Sequence, residues 1–209
     1  MTGRTRNRRG DGGRLRTDII AAAIDLLDET GDEHAVTLRA VARRVGITAP
    51  SIYPHFTDRP TLMLAVVQTA FAELTDWLET AHRNAGDDPR RQLHALSAAY
   101  LDFAQARPQR YRTMFGGQFD PTPGLTGNTL TFEDVAALGM QALQLFTDAL
   151  AGCVAARQST STDPGADAVA LWLGLHGLAH QRAVTHAFPW PADIAERLIT
   201  SLAHLGPIR

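Results

Sequence analysis

Residues 36–56 read VTLRAVARRVGITAPSIYPHF, and this stretch decides the fold of the chain. Thr37 is a residue type that caps helix N-termini, and the apolar residues after it recur at helical spacing as far as Gly46, which favours a turn. Thr48 then begins a second short segment, whose apolar residues can pack on those of the first. The stretch predicts a helix-turn-helix, in which the second helix fits a DNA major groove about 12 Å wide. Three short helices that simply cap a bundle are the alternative.

The polar and small residues of this stretch suit contact with DNA. Arg39 and Arg43 lie on the predicted groove side of the first helix. Thr48 is expected to cap the second helix, which should run to about Tyr53. Its first residues are small enough to approach base edges closely: Thr48, Ala49, Pro50 and Ser51. Because alanine and proline side chains form no hydrogen bonds, we expect thymine methyl groups, DNA shape and an arginine arm to supply much of the specificity.

Charge divides the chain into a basic end and an acidic body. Residues 1–62 contain ten arginines and eight acidic residues, whereas residues 63–209 contain ten arginines and fourteen acidic residues. Six of the arginines fall within the first sixteen residues, beside a single acidic residue, Asp11. The chain has no lysine, so every basic contact to a phosphate would be a planar guanidinium. We expect residues 1–13 to form a basic arm that is disordered when unbound and contacts nucleic acid.

The remaining chain follows helical periodicity without convincing two-residue alternation, which predicts an all-α fold. A first helix is expected over 15–30, and the start signal Asp58-Arg59-Pro60 opens a long helix that continues to about Arg83. Later helices are expected over 89–106, 111–115, 131–156, 164–186 and 192–204, with a loop over 116–128. We therefore expect a three-helix DNA-binding domain over 14–60, joined by the long helix to a helical bundle for ligand binding and dimerisation over 61–209.

On these residues the N-terminal quarter resembles the TetR family of transcriptional repressors, roughly over 14–64. The matching stretches are AAAIDLL at 21–27, Glu29-Thr30-Gly31, Thr37, Val41-Ala42, Val45-Gly46-Ile47 and Ile52-Tyr53-Pro54-His55-Phe56, leading to Leu62. The resemblance implies that Tyr53, His55 and Arg59 bind phosphates, as does Thr37. It also implies that bases are read by Arg39 and by residues 48–51. The family commonly has lysine where Arg59 stands, so we expect a bidentate phosphate contact there instead of a point charge.

A shorter resemblance lies in the C-terminal half. The stretches RYRTMF at 110–115 and WLGLHG at 172–177 are similar to the regulatory domain variety named for its Trp-His-Gly residues. The expected partner of this body is a small, apolar effector molecule. Eight of its side chains are candidate ligand contacts, although most of them are expected to fill a core: Phe71, Trp77, Tyr100, Phe103, Met114, Phe115, Trp172 and His176. The helix at 166–186 is apolar nearly all round, which predicts a homodimer through the last two helices.

Other chemistry finds less support in the sequence. His176 and His180 lie four residues apart and could share a metal ion, so a metal-dependent α-helical enzyme is the alternative function. No third ligand is evident, and there is no Gly-x-Ser-x-Gly elbow or strand for a serine hydrolase. Cys153 is either an inert small hydrophobe or a redox sensor. We expect no catalytic residue, no bound metal and no cofactor.

The sequence therefore predicts a homodimeric, ligand-responsive repressor of transcription. Its three N-terminal helices would bind a palindromic operator, and an effector entering the body would shift the long helix at 59–83 and release the DNA. An adaptor that keeps the fold without binding DNA is a third possibility. Arg8-Arg9 is followed by no apolar leader, and the apolar run at 168–179 is too short to cross a membrane, so a cytoplasmic protein is expected.

Overall fold

The computed structural model describes residues 11–185 and 187–206, apart from the side chains of residues 11 and 12. Within this range the secondary structure is helical, with one isolated β-bridge between Ser159 and Leu205, and the predicted all-α fold is confirmed. The α-helices are α1 (Asp11–Thr30), α2 (Leu38–Val45), α3 (Arg59–Asn84), α4 (Pro89–Ala106), α5 (Pro108–Phe115), α6 (Thr122–Thr126), α7 (Phe132–Ala136), α8 (Met140–Ala155), α9 (Pro164–Val184) and α10 (Ile194–Leu202). Two 3₁₀ turns lie at Glu33–Ala35 and Ala49–Ser51.

The chain forms two compact units. The described part of the first unit comprises 11–69 and 112–136, and that of the second comprises 70–111, 137–185 and 187–206. Helix α3 contributes residues to both. This division differs from the predicted one at residue 60, because residues 112–136 return to the N-terminal helices.

The core of the first unit lies between α1, α2 and the start of α3. Ile19, Val41, Ile52 and Phe56 are all buried in it, as the periodicity of the helix-turn-helix predicted. Phe119, from the segment 112–136, is partly buried against the same core. This non-local contact explains why that segment belongs to the first unit.

The second unit is built from α4, α8, α9 and α10, which pack on one another. Its largest buried side chains include Tyr100, Phe103 and Phe146. Aspartates cap two of the helices, as the Asp-Pro start signals predicted. Asp88 Oδ1 accepts from the Arg90 N–H at 3.1 Å, and Asp163 Oδ1 accepts from the Ala166 N–H at 3.0 Å.

Some predicted helix boundaries are wrong. The helix expected over 131–156 is divided into α7 and α8 at Gly139, whose φ of 75° is left-handed. Helix α1 begins at Asp11, so residues 11–13 are helical instead of belonging to the disordered arm, and the rest of that arm lies outside the described residues. The loop expected over 116–128 contains α6. No helix among the described residues is both long enough and apolar enough to span a membrane.

Candidate functional site

The first half of the helix-turn-helix has the predicted cap and stop. Thr37 Oγ1 accepts a hydrogen bond from the Ala40 N–H at 3.1 Å at the start of α2. Gly46 ends the helix with φ 75° and ψ 28°, a left-handed conformation that glycine adopts without strain. The Ile47 N–H then donates to the Ala42 carbonyl at 2.9 Å, which closes the turn. This turn directs the following segment back onto the core.

The second half is shorter than predicted. Instead of a helix to Tyr53, one 3₁₀ turn at Ala49–Ser51 is followed by hydrogen-bonded turns as far as His55. The predicted backbone cap at Thr48 is also wrong, because its hydroxyl lies 2.7 Å from Ser51 Oγ and makes no cap hydrogen bond. Thr48 and Pro50 are exposed, whereas Ala49 and Ser51 are half-buried. Only one hydroxyl proton is used in this bond, so the pair can still donate one hydrogen bond to a ligand.

The basic side chains of α2 have different surroundings. Arg39 and Arg43 are exposed and make no side-chain hydrogen bond or ion pair with the part of the chain that the structure describes. Arg44 forms two hydrogen bonds to the carboxylate of Glu29 on α1, one of them 2.6 Å long. This hydrogen bonding holds the pKa of Glu29 below its usual value. Arg44 thus joins α2 to α1, and Arg39 and Arg43 present their charge to solvent.

Three of the four residues expected to bind phosphate, Tyr53, His55 and Arg59, are also placed differently from one another. Tyr53 is 50% exposed and His55 is half-buried, on either side of Pro54. Arg59 directs its guanidinium at the protein: Nη2 donates to the Glu33 carbonyl at 2.8 Å and Nε donates to the Val36 carbonyl at 3.2 Å. A phosphate contact from Arg59 would therefore have to coexist with two bonds to the backbone.

In the second unit, several of the predicted ligand residues form one packed cluster. The imidazole of His176 neighbours the rings of Tyr111 and Trp172, with both centroids 5.6 Å away and interplanar angles of 25° and 30°. The hydroxyl of Tyr111 lies 2.7 Å from His176 Nδ1, and that of Tyr100 lies 3.3 Å from the same nitrogen. Burial lowers the pKa of His176, with a smaller contribution from His180. A neutral imidazole that accepts from Tyr111 at Nδ1 fits this environment.

The remaining candidates are distributed over both units. Phe103 is buried, and the ring of Trp77 meets it edge-on at 5.9 Å. Phe71 is half-buried and belongs to the second unit, whereas Met114 and Phe115 are half-buried in the first. Which of the eight candidates touch a ligand stays a prediction.

A cavity of about 490 Å³ opens between the C-terminal halves of α4 and α9. Its lining consists of Leu101, Ala104, Gln105, Pro108, Ala179, Arg182 and Ala183, none of which was among the sequence candidates. From the sequence alone, alanines at these positions look like ordinary core residues. A signal that could have indicated the cavity is that small alanine side chains recur on two helices that pack against each other.

Metal and thiol chemistry receive no positive support from this geometry. The described residues contain no group of three His, Cys, Asp or Glu side chains arranged to hold a metal ion. Cys153 is fully buried, and burial raises the pKa of its thiol to about 11. Because the thiolate is the reactive form, this environment favours an inert hydrophobe over a redox sensor.

Comparison with known proteins identifies the class of the molecule. The family described as "Bacterial regulatory proteins, tetR family" matches residues 19–66, and the family described as "Tetracyclin repressor-like, C-terminal domain" matches residues 93–205. The chain is 32% identical over 122 residues to the HTH-type transcriptional activator FasR of Mycolicibacterium smegmatis, covering 56% of this chain and 54% of that protein. It is 30% identical over 90 residues to the HTH-type transcriptional regulator BetI of Stenotrophomonas maltophilia, with 43% and 45% covered. The matches span about half the length of these curated relatives.

Solved structures share the fold over nearly the whole chain. A protein of unknown function from Rhodococcus sp. RHA1 superposes with a TM-score of 0.73 at 25% identity, covering 94% of this chain and 95% of that one. The fatty acid degradation regulator FadR of Bacillus halodurans gives a TM-score of 0.66 at 14% identity, with 98% and 99% covered. These findings favour a regulator over a metal-dependent enzyme. The chain belongs to the TetR family of DNA-binding transcriptional regulators.

Proposed function

We propose that this regulator works as a homodimeric repressor in the cytoplasm, and that a small-molecule effector releases it from a palindromic operator. The observation that carries the DNA-binding part is Arg39, which is exposed and bonds to no described residue, on the helix that precedes the small residues of the 3₁₀ turn. The proposed DNA contacts are Thr37, Arg39, Thr48, Ala49, Pro50, Ser51, Tyr53 and His55.

The operator contact is tested by fluorescence anisotropy with the intergenic DNA upstream of the gene and a scrambled duplex, each over a salt series. We expect tight binding to the intergenic fragment, a steep salt dependence and a clear margin over the scrambled duplex. Two-fold symmetry would place the half-sites about 34–36 Å apart, or a multiple of that distance. Equally weak binding to both duplexes would contradict a repressor of its own gene.

An apolar stripe on α9 supports the dimer. Val169, Leu173 and Val184 are 38%, 54% and 58% exposed, and their spacing puts them on one face together with Gly177 and His180. Apolar side chains exposed in a row along one helix favour a protein contact. We expect Leu173→Arg to give a monomer by sedimentation velocity. Phe132→Arg is the matched control, since Phe132 is 81% exposed and lies outside the stripe.

The cavity between α4 and α9 supports an effector site. Its volume lies within the range of about 300–1,000 Å³ that small-molecule pockets occupy, and its lining is mainly apolar. Helix α3 is continuous from Arg59 to Asn84 and supplies residues to both units, so it offers a direct route for coupling. A coupling free energy of about 1–3 kcal/mol would change operator affinity by roughly 5–150-fold.

The site is tested with anilinonaphthalene sulfonate, an apolar anion whose fluorescence reports binding. Ala104→Trp should fill the cavity and abolish the signal, because Ala104 lines it. Ala106→Trp adds the same bulk at an exposed position of the same helix and should leave the signal unchanged. Unaltered probe binding in Ala104→Trp would place the site elsewhere.

A further inference from the structure

We propose that Arg59 is a positioning residue that holds the beginning of α2 in place, and that it is not one of the phosphate contacts. The inference rests on the proposed DNA-binding surface, since it explains how the start of that surface is fixed. Arg59, the first residue of α3, would thereby connect α3 to α2, the helix that carries Arg39.

Three acceptors surround the Arg59 guanidinium. Nη2 donates to the Glu33 carbonyl at 2.8 Å, and Nε donates to the Val36 carbonyl at 3.2 Å. The carboxylate oxygen Oε2 of Glu33 lies 3.6 Å from Nη2. That oxygen is buried and has no hydrogen-bond partner within the described residues, so the guanidinium compensates its charge. The side chain of Arg59 is only 33% exposed, which leaves a limited part of it for other partners.

The two carbonyls belong to the segment that leads into α2. Asp32 caps the 3₁₀ turn at Glu33–Ala35 by accepting from the His34 N–H at 2.8 Å. Val36 follows that turn, is fully buried, and immediately precedes Thr37, the N-cap of α2. Holding the Val36 carbonyl in place therefore also fixes the position of the N-cap Thr37. Val36 lies three residues before Arg39, so the start of the helix that carries Arg39 is fixed as well.

The choice of arginine fits this role. Guanidinium N–H groups have fixed directions in one plane, so Nε and Nη2 can hold two carbonyls at a set separation. A lysine ammonium carries the same charge on a flexible stem and does not impose that separation. A phosphate contact exists only when DNA is bound, whereas the bonds to the two carbonyls exist without it, so amide exchange of Arg59→Lys in the absence of DNA separates the two roles.

The experiment measures amide hydrogen exchange and DNA binding on the full chain with Arg59→Lys and Arg59→Gln. The reporter is the Val41 amide, which donates to the Thr37 carbonyl at 2.9 Å in the first turn of α2. Positioning predicts about tenfold faster exchange or more at Val41 in both variants, while amides in the middle of α1 stay protected. It also predicts about tenfold weaker operator binding with an unchanged slope of log affinity against log salt.

Arg43→Gln is the matched control, because Arg43 is an exposed arginine of the same unit whose side chain bonds to no described residue. It should leave exchange at Val41 unchanged. The proposal is overturned if Arg59→Lys matches the unsubstituted protein in exchange at Val41 while Arg59→Gln lowers the salt slope by about 0.9 per lost phosphate contact. Exchange is measured without DNA, so failure of operator binding in the unsubstituted chain would reject the proposed function and leave this test intact.

Discussion

Replacing Gly139 by alanine should destabilise the second unit through a specific collision with Phe71. Gly139 precedes α8 with φ 75° and ψ −3°. A Cβ atom at this position would lie 2.8 Å from Phe71 Cε1 and 3.3 Å from Cδ1 and Cζ of the same ring. The first distance is too short for a carbon–carbon contact, so either the ring or the backbone must move.

Two separate effects determine how much Gly139→Ala lowers the free energy of unfolding. A left-handed conformation costs an L-residue roughly 1–2 kcal/mol, and the lower entropy of the unfolded alanine chain offsets about 0.4–1 kcal/mol of that. Overpacking against a side chain adds about 1–3 kcal/mol. Gly86 has a similar φ of 77°, but a Cβ there would meet nothing within 4 Å, so Gly86→Ala carries only the backbone cost. We expect Gly139→Ala to lower the free energy of unfolding by about 1–3 kcal/mol more than Gly86→Ala does.

Urea unfolding followed by circular dichroism gives both free energies under the same conditions. Adding Phe71→Leu to Gly139→Ala should recover part of the excess loss, because the smaller side chain vacates the contact. Equal losses at Gly139 and Gly86, with no recovery in the double variant, would refute the argument that Phe71 determines the cost.

Three further predictions concern the DNA-binding surface and the aromatic cluster. Arg39→Ala should cost about 1–3 kcal/mol of operator binding and relax specificity at one base pair, as measured by anisotropy with single-base operator variants; an equal loss on random DNA would make it a phosphate contact. Thr37→Val should lower the free energy of unfolding by about 1 kcal/mol in urea titrations, since it removes the acceptor for the Ala40 N–H. Because burial lowers the pKa of His176 below its ordinary 6.5, the unfolded chain binds the proton more readily, so stability should be lost as the pH falls through and below that value. Unfolding titrations at several pH values should show a weaker dependence for His176→Gln; an unchanged dependence would assign it to other groups.

The parts of the fold that the sequence predicted depend on neighbouring residues. Thr37 and Gly46 mark the ends of α2 by their own chemistry, and the Asp-Pro pairs at Asp88 and Asp163 mark helix starts in the same way. The long α3 is readable because its apolar residues keep one period without a breaker. Each of these signals is formed by residues within one or two helical turns of one another, so it can be recognised in the sequence alone.

The parts that were missed depend on residues far apart in the chain. Gly139 interrupts a helix that its local sequence supports, and the ring of Phe71, which is distant in sequence, leaves no room for a Cβ atom there. Arg43 and Arg44 are adjacent and chemically identical. Of the two, Arg44 is the one whose guanidinium donates to the carboxylate of Glu29 on α1. The bonds of Arg59 to Glu33 and Val36 are likewise formed by the packing of α3 and not by any local motif. Tertiary contacts therefore decide which of several similar side chains is available to a ligand.

The aromatic cluster around His176 and the proposed effector cavity differ in how easily a ligand can enter them. Tyr100 and Tyr111 are buried, and their hydroxyls both lie within 3.3 Å of His176 Nδ1, so a ligand could enter the cluster only by displacing buried, hydrogen-bonded groups. The cavity needs no such displacement, because Leu101 and Ala179 line a gap that already exists on the same two helices. Leu101 follows Tyr100 directly, and Ala179 lies three residues after His176. The packing of the cluster would then serve to hold α4 and α9 apart at a fixed distance, and effector selectivity would depend on the small side chains that line the gap.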